Sequence, residues 1–298
     1  MRPYVSRIAL STLLLFATGC QPGERASARA GGDTEAADEG ADGTGESTGG
    51  EDPGAPDAPA EPDTAADEDA EVEPPCDRSA RAVRFEASDG VELEADLELF
   101  DGEGPAVVLL HMIPPANDRT SYPPRVRDAL RATGVHVLNV DRRGAGGSGG
   151  EARDAYEGEG GRLDVEAAVR FLQDLPPSCG VDLTRLFLVG ASNGTTSALD
   201  YAVAHDEELP DVTRMVWLSP GIYTETQHAI DDHLMQLASM RILLIHPESE
   251  DYAERFLDPQ PAGWDILALE GGAHGTRNFD DGALEAQQLG AMVEFLTP

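Results

Sequence analysis

The chain has 298 residues, with 56 Asp and Glu against 21 basic side chains, all of them arginine, and a formal net charge of −35. That balance excludes a nucleic-acid partner, because a phosphate footprint needs a basic face. The three cysteines fall in no metal-ligand spacing, which excludes a thiolate metal site.

Residues 1–20 read as a secretory signal. Arg2 and Arg7 supply a positive start, Ile8 to Phe16 supply an apolar run too short to span a bilayer, and Ala17-Thr18-Gly19-Cys20 closes it. The ending resembles a bacterial lipobox, in which cleavage before the cysteine leaves a lipidated N-terminus; Ala17 stands where that motif usually has leucine. The resemblance implies lipidation at Cys20 and a membrane held through that lipid. The alternative is an ordinary signal peptide with an incidental cysteine. The same resemblance implies an exported protein of the cell envelope, and at the outer membrane, since Gln21 after Cys20 is not an aspartate.

Residues 21–75 are built almost wholly of Ala, Gly, Asp, Glu, Pro, Ser and Thr, with no aromatic. Such a segment buries too little apolar surface to offset its ordering entropy, so a disordered acidic linker is expected. A coil of this length spans on the order of 40 Å, more under self-repulsion, which suits a stalk. An acidic interaction tail is the alternative, without a feature that specifies a partner.

Residues 76–298 are expected to form one domain. Ala82–Glu86 and Val91–Phe100 read as strands around the turn Ser88-Asp89-Gly90. Ala106–His111 is a continuous apolar strand, Tyr122–Ala132 a helix and Val135–Val140 another buried strand. Leu163–Leu175 keeps a helical apolar side, Leu186–Val189 is a strand, and Thr195–Ala204 is a helix. The rest alternates: strand Arg214–Leu218, helix Ala229–Ala238, strand Ile242–Ile245, short helix Ala253–Leu257, strand Trp264–Leu269 and helix Ala283–Leu296. An antiparallel pair followed by alternation predicts an α/β domain, an eight-stranded mostly parallel sheet with helices on both faces. Ligands in such sheets bind at the carboxyl ends of the strands.

Gly190-Ala191-Ser192-Asn193-Gly194 sits between a strand and a helix. A G-x-S-x-G turn in that context resembles the nucleophile elbow of the α/β-hydrolases. The serine hydroxyl is a weak nucleophile and needs a base, which in turn needs an orienting acid. His274 follows the last strand in a glycine-rich turn, the place for the base. In this fold the acid commonly lies three residues past the small residue ending the preceding strand, which counts from Pro247 to Glu250, with Asp251 as the alternative acid. The oxyanion hole needs two backbone N–H donors, expected from Asn193 and from Met112 or Ile113.

Gly144, Gly146 and Gly149 fit G-x-G-x-x-G, but no amphipathic helix follows them, so a dinucleotide site is not expected. Asn193-Gly194-Thr195 matches a glycosylation sequon that the elbow would bury. The exported compartment permits a disulfide between Cys76 and Cys179, with two unpaired thiols as the alternative.

These pieces together resemble the α/β-hydrolase superfamily over residues 80–298. The matching pieces are His111-Met112, Asp141-x-Arg143-Gly144-x-Gly146-x-Ser148, the Gly190–Gly194 elbow and Ala273-His274-Gly275-Thr276, while Leu218-Ser219-Pro220-Gly221 and the stretch Glu250–Ala253 are similar to small hydrolases of the dienelactone-hydrolase-like and acylaminoacyl-peptidase-like type. The resemblance implies a serine hydrolase acting on small-molecule esters, less often amides, without a cofactor. Serine stands where true dienelactone hydrolases use cysteine, and Met112 where the usual motif has glycine. Ile222, Tyr223, Met235 and Leu237 are either pocket lining or core. A catalytically silent binding module and an acyltransferase remain the other readings.

Overall fold

The computed structural model describes residues 75–210, 213–221, 228–250 and 260–297. The expected signal with Cys20, residues 21–74 of the expected linker, Ile222, Tyr223, Asp251 and the expected helix Ala253–Leu257 lie outside the described residues.

Eight strands form one sheet in the order β1-β2-β4-β3-β5-β6-β7-β8. β1 (Arg81–Glu86) and β2 (Glu92–Glu98) are an antiparallel hairpin, and β2 runs antiparallel to β4 (His136–Val140). β2 alternates Leu93, Ala95 and Leu97 inward with Glu and Asp outward, which is the pattern of a sheet wetted on one face. From β3 (Gly104–Leu110) onward, β5 (Val181–Ala191), β6 (Arg214–Leu218), β7 (Arg241–Pro247) and β8 (Trp264–Leu269) are parallel. β3 and β4 are buried along their whole lengths; β3 is an unbroken apolar run, while in β4 the buried His136 and Asn139 make hydrogen bonds to the main chain.

Two apolar layers cover the sheet. On one face α2 (Gly160–Gln173) and α3 (Asn193–Ala204) bring Val165, Ala168, Ala198 and Leu199 against Leu110, Leu188 and Trp217. On the other, α1 (Pro124–Arg131) and α5 (Gly282–Leu296) bring Val126, Leu130, Met292 and Leu296 against Val107, Val189 and Val216. The chain leaves β3 for β4 on one side and returns to β5 on the other. The carboxyl ends of β3 and β5 therefore flank a topological switch point, where a crevice opens between oppositely directed connections.

α4 (Ile230–Leu237) turns Ile230 and Leu237 into the core, while Met235 is 93% exposed. Neither Met235 nor Leu237 is placed as pocket lining: one faces solvent, the other is core. Cys76 and Cys179 are joined by a disulfide across a separation of 103 residues. Among the described residues, no helix is long and apolar enough to cross a membrane.

Candidate active site

Ser192 ends β5 and begins α3 with φ 51° and ψ −123°, a backbone conformation that L-residues avoid. The surroundings leave no other path. A Cβ on Gly190 would lie 2.5 Å from the Gly194 carbonyl oxygen, and one on Gly194 would lie 2.5 Å from that of Leu110. The two glycines thus let strand and helix meet closely enough to push Ser192 out at the sheet edge. The Ser192 N–H donates to Leu218 O at 2.8 Å, which ties the turn to β6.

Three residues that are distant in sequence meet there. The Ser192 hydroxyl lies 2.7 Å from His274 Nε2, and His274 Nδ1 lies 2.5 Å from Glu250 Oε1. With the carboxylate ionised, Nδ1 carries the proton and donates to Glu250, and Nε2 accepts from the serine. Oε2 of Glu250 is buried and has no hydrogen-bond partner among the described residues. Asp251, the alternative acid, lies outside them.

The turn carrying His274 is braced by residues that no motif marks. Gly275 N–H donates to Ser219 Oγ at 2.9 Å, and Ala273 N–H donates to Asn278 Oδ1 at 2.6 Å. Asn278 donates in turn to Gln288 Oε1 on α5. Ser219 is the other non-glycine residue with positive φ among the described residues, at 53°. It ends β6 as Ser192 ends β5, and its buried hydroxyl faces the histidine turn. A signal existed in Leu218-Ser219-Pro220, but spacing alone does not reveal the contact.

Met112 is buried after β3, whereas Ile113 is 40% exposed. Among the described residues the N–H of neither has a hydrogen-bond partner. The ring of His111 organises this loop. Its Nε2 accepts the Arg142 N–H at 2.9 Å, so Nδ1 carries the proton and donates to Met112 O at 2.7 Å. Burial, reinforced by the charge of Arg142, pushes the His111 imidazole down to about 3 and keeps it neutral. Beside Met112, an open cleft of about 320 Å³ is lined by Asn117, Thr120, Thr276 and Arg277.

The glycine-rich turn after β4 is occupied with itself. Gly147 N–H donates to Asp141 Oδ2 at 2.8 Å, Ser148 N–H to Ala145 O at 3.0 Å and Gly149 N–H to Glu92 O at 2.8 Å. Arg143 is held by Asp164 at 2.8 Å and Asp89 at 2.6 Å. Burial raises the Asp164 carboxyl above the usual carboxylate range, against the pull of Arg143. These N–H groups brace a loop and do not cradle a phosphate. Asn193 is 1% exposed, so the sequon is inaccessible.

Residues 107–257 match the family of serine aminopeptidases, S33, which is half of the chain and runs from β3 past Glu250. The chain belongs to this α/β-hydrolase family. No curated protein matches it in sequence. Solved structures share the family's fold at low identity. Esterase Pf2001 of Pyrococcus furiosus superimposes with a TM-score of 0.56 at 19% identity, covering 76% of this chain and 96% of that one. The dienelactone hydrolase of Anabaena variabilis gives 0.54 at 16% identity, covering 73% and 96%. DcsB, solved with a substrate analogue, gives 0.56 at 16% identity, covering 73% and 99%. Membership makes the chain a hydrolase of the α/β fold.

Proposed function

We propose that this hydrolase cleaves small-molecule carboxylic esters through an acyl-enzyme on Ser192. The observation that carries the reading is the hydrogen-bonded series Ser192–His274–Glu250, with links of 2.7 and 2.5 Å. His274 takes the hydroxyl proton as Oγ attacks the carbonyl carbon, and Glu250 stabilises the imidazolium that forms. The N–H of Asn193 and that of Met112 or Ile113 hold the oxyanion. Collapse of the tetrahedral intermediate expels the alcohol, which takes the proton from His274. Water then attacks the acyl-enzyme by the same route in reverse, and the acid leaves. Support for esters over amides comes from the esterase and dienelactone hydrolase among the structural neighbours.

A fluorophosphonate probe tests the reading, followed by turnover of p-nitrophenyl esters and aminoacyl p-nitroanilides. The wild type should be labelled and Ser192→Ala not, with turnover reduced by about 10⁴-fold or more. A folded wild type that resists labelling would overturn the proposal, and preferential cleavage of the anilides would make it a peptidase. Glu250→Gln should lower kcat by about 10³-fold while Asp251→Asn stays within a few-fold, because only the orienting acid stabilises the imidazolium. The reverse result would move the role to Asp251.

The same proposal places the enzyme outside the cytoplasm on a lipid anchor at Cys20. What supports it is the residue pattern of the N-terminal 20 positions and the acidic, apolar-poor stretch after them. Metabolic labelling with a fatty acid should mark the wild type and not Cys20→Ala, and membrane fractionation should find the label in the outer membrane. An unlabelled wild type would reduce the segment to an ordinary signal.

A further inference from the structure

Arg142 is fully buried, yet among the described residues it has no carboxylate at ion-pair distance. Its guanidinium instead meets neutral oxygens. Nη1 donates to His111 O at 3.3 Å, and Nη2 lies 2.6 Å from Ala155 O, 2.9 Å from Asn193 Oδ1 and 2.8 Å from Ser197 Oγ. Nε is buried without a hydrogen-bond partner among the described residues. Burial pulls the group down to about 10, with Asp164 and Asp200 opposing from a distance, so it stays charged at neutral pH. An ion buried on these terms costs several kcal/mol, and an apolar residue of similar volume would fill the space more cheaply. Stability alone gives no reason for a charge here.

The contacts supply one. His111 O belongs to the peptide unit whose other end is the Met112 N–H. A trans peptide is planar, so clamping its carbonyl on one side aims its N–H to the other. A hydrogen bond from a cation to that carbonyl also polarises the unit and strengthens its N–H as a donor. The main chain of Arg142 acts on the next peptide as well. Its N–H fixes the His111 ring, which holds Met112 O and so orients the Ile113 N–H. The second fork arm holds the side chain of Asn193, the residue that follows Ser192 and opens α3. One residue therefore governs both walls of the oxyanion position, whichever of Met112 and Ile113 is the donor.

We infer that Arg142 is a positioning residue of the oxyanion hole, fixing and polarising the donors after β3 and anchoring Asn193 opposite them. The inference rests on the acyl-hydrolase reading above. It concerns the transition state and not substrate capture, because the guanidinium sits behind the donors and out of the substrate's reach.

The test compares wild type, Arg142→Met and Arg142→Lys, each checked for folding by near-ultraviolet circular dichroism. The readouts are kcat and KM for p-nitrophenyl acetate, and Ki for an alkyl boronic acid, whose serine adduct is a tetrahedral anion. Arg142→Met should lose about 100-fold in kcat, as for one oxyanion donor, with KM within about threefold. Its boronate Ki should weaken by a similar factor. Arg142→Lys keeps the charge but not the fork, and should lose about tenfold in both. Loss of packing alone does not split kcat from KM in parallel with the boronate Ki. A folded Arg142→Met whose Ki stays within about threefold of wild type overturns the inference. If that variant does not fold, wild-type values for both quantities in Arg142→Lys overturn it. A wild type that resists the fluorophosphonate defeats the parent reading and this one together. A labelled wild type with an unaffected boronate Ki in the variants defeats this one alone.

Discussion

His111 shows how much one neutral side chain can fix. It lies between the Arg142 N–H and Met112 O, and both bonds require the form with the proton on Nδ1 alone. A second proton would turn Nε2 into a donor facing another donor, inside a core that charges avoid. Burial and then the Arg142 charge accordingly set its affinity for that proton at about 3 in the fold against 6.5 outside it. Below pH 6.5 the unfolded chain binds the proton and the folded chain does not, so stability falls as pH falls, down to pH 3. The contribution is about 2 kcal/mol lost between neutral pH and pH 5. His136, lowered mainly by burial, adds to it. His205 acts in the opposite sense: burial lowers it, but Glu166 and Glu208 outweigh that and raise it, so it stabilises at low pH and loses that effect as pH rises. Urea unfolding should accordingly show lower stability at pH 5 than at pH 7, and the His111 ring resonances should not shift over that range. A ring that titrates near 6.5 would show that the loop tolerates the imidazolium.

At the scale of elements, the sequence pattern located each described strand and α-helix but not the short 3-10 turns at Arg119–Ser121, Ala152–Ala155, Pro177–Cys179 and Gly275–Asp280, and tertiary packing set the ends. β5 begins at Val181, five residues before the apolar run that marks it, because Gly104 and Pro105 pair with Val181 and Asp182 ahead of a register shift that brings Leu186 opposite Ala106. α2 starts at Gly160 and not at Leu163. Two glycines are poor helix formers in isolation, but Gly160 and Gly161 are buried against the adjoining turn and α3, and that contact overrides propensity. Ser192, His274 and Glu250 were legible because each must follow a particular strand, and chain order gives those positions. The braces were not legible. Ser219, Asn278 and Gln288 act through hydrogen bonds to the histidine turn across 56, 5 and 13 residues, and such contacts leave no periodic trace. Arg142 was legible as a residue but not as a buried one. An arginine between Asp141 and Arg143 carries no sequence mark of burial, which comes from its packing between His111, Ala155 and the first turns of α3.

For the molecule as a whole, the Cys76–Cys179 bridge connects export, stability and the site. It ties the first described residues to the turn before β5, closing a loop of 103 residues. Bridging a loop of that length removes much of the freedom of the unfolded chain, about 4.7 kcal/mol in the chain-entropy limit, and native bridges stabilise small domains by about 2–5 kcal/mol. Structural disulfides form and persist mainly in oxidising compartments, so the bridge is compatible with the proposed export. Its position also matters. Cys179 precedes β5 and Ser192 follows it, and an 11-residue strand separates them by up to roughly 35 Å. The bridge should therefore govern unfolding without touching the chemistry. Replacing both cysteines by serine should lower the thermal midpoint by about 10 °C, given about 2–4 °C per kcal/mol for a domain of this size. The kcat on p-nitrophenyl acetate at 25 °C should stay within about twofold of wild type, since the half of β5 next to the elbow, Leu186–Ala191, is fully buried and holds the turn independently of the strand's far end. Thiol titration of the purified wild type in denaturant should find neither cysteine free. Free thiols, or an unchanged midpoint in the double variant, would remove the bridge from the account of stability. A midpoint that falls together with kcat would show instead that the elbow depends on the far end of its own strand.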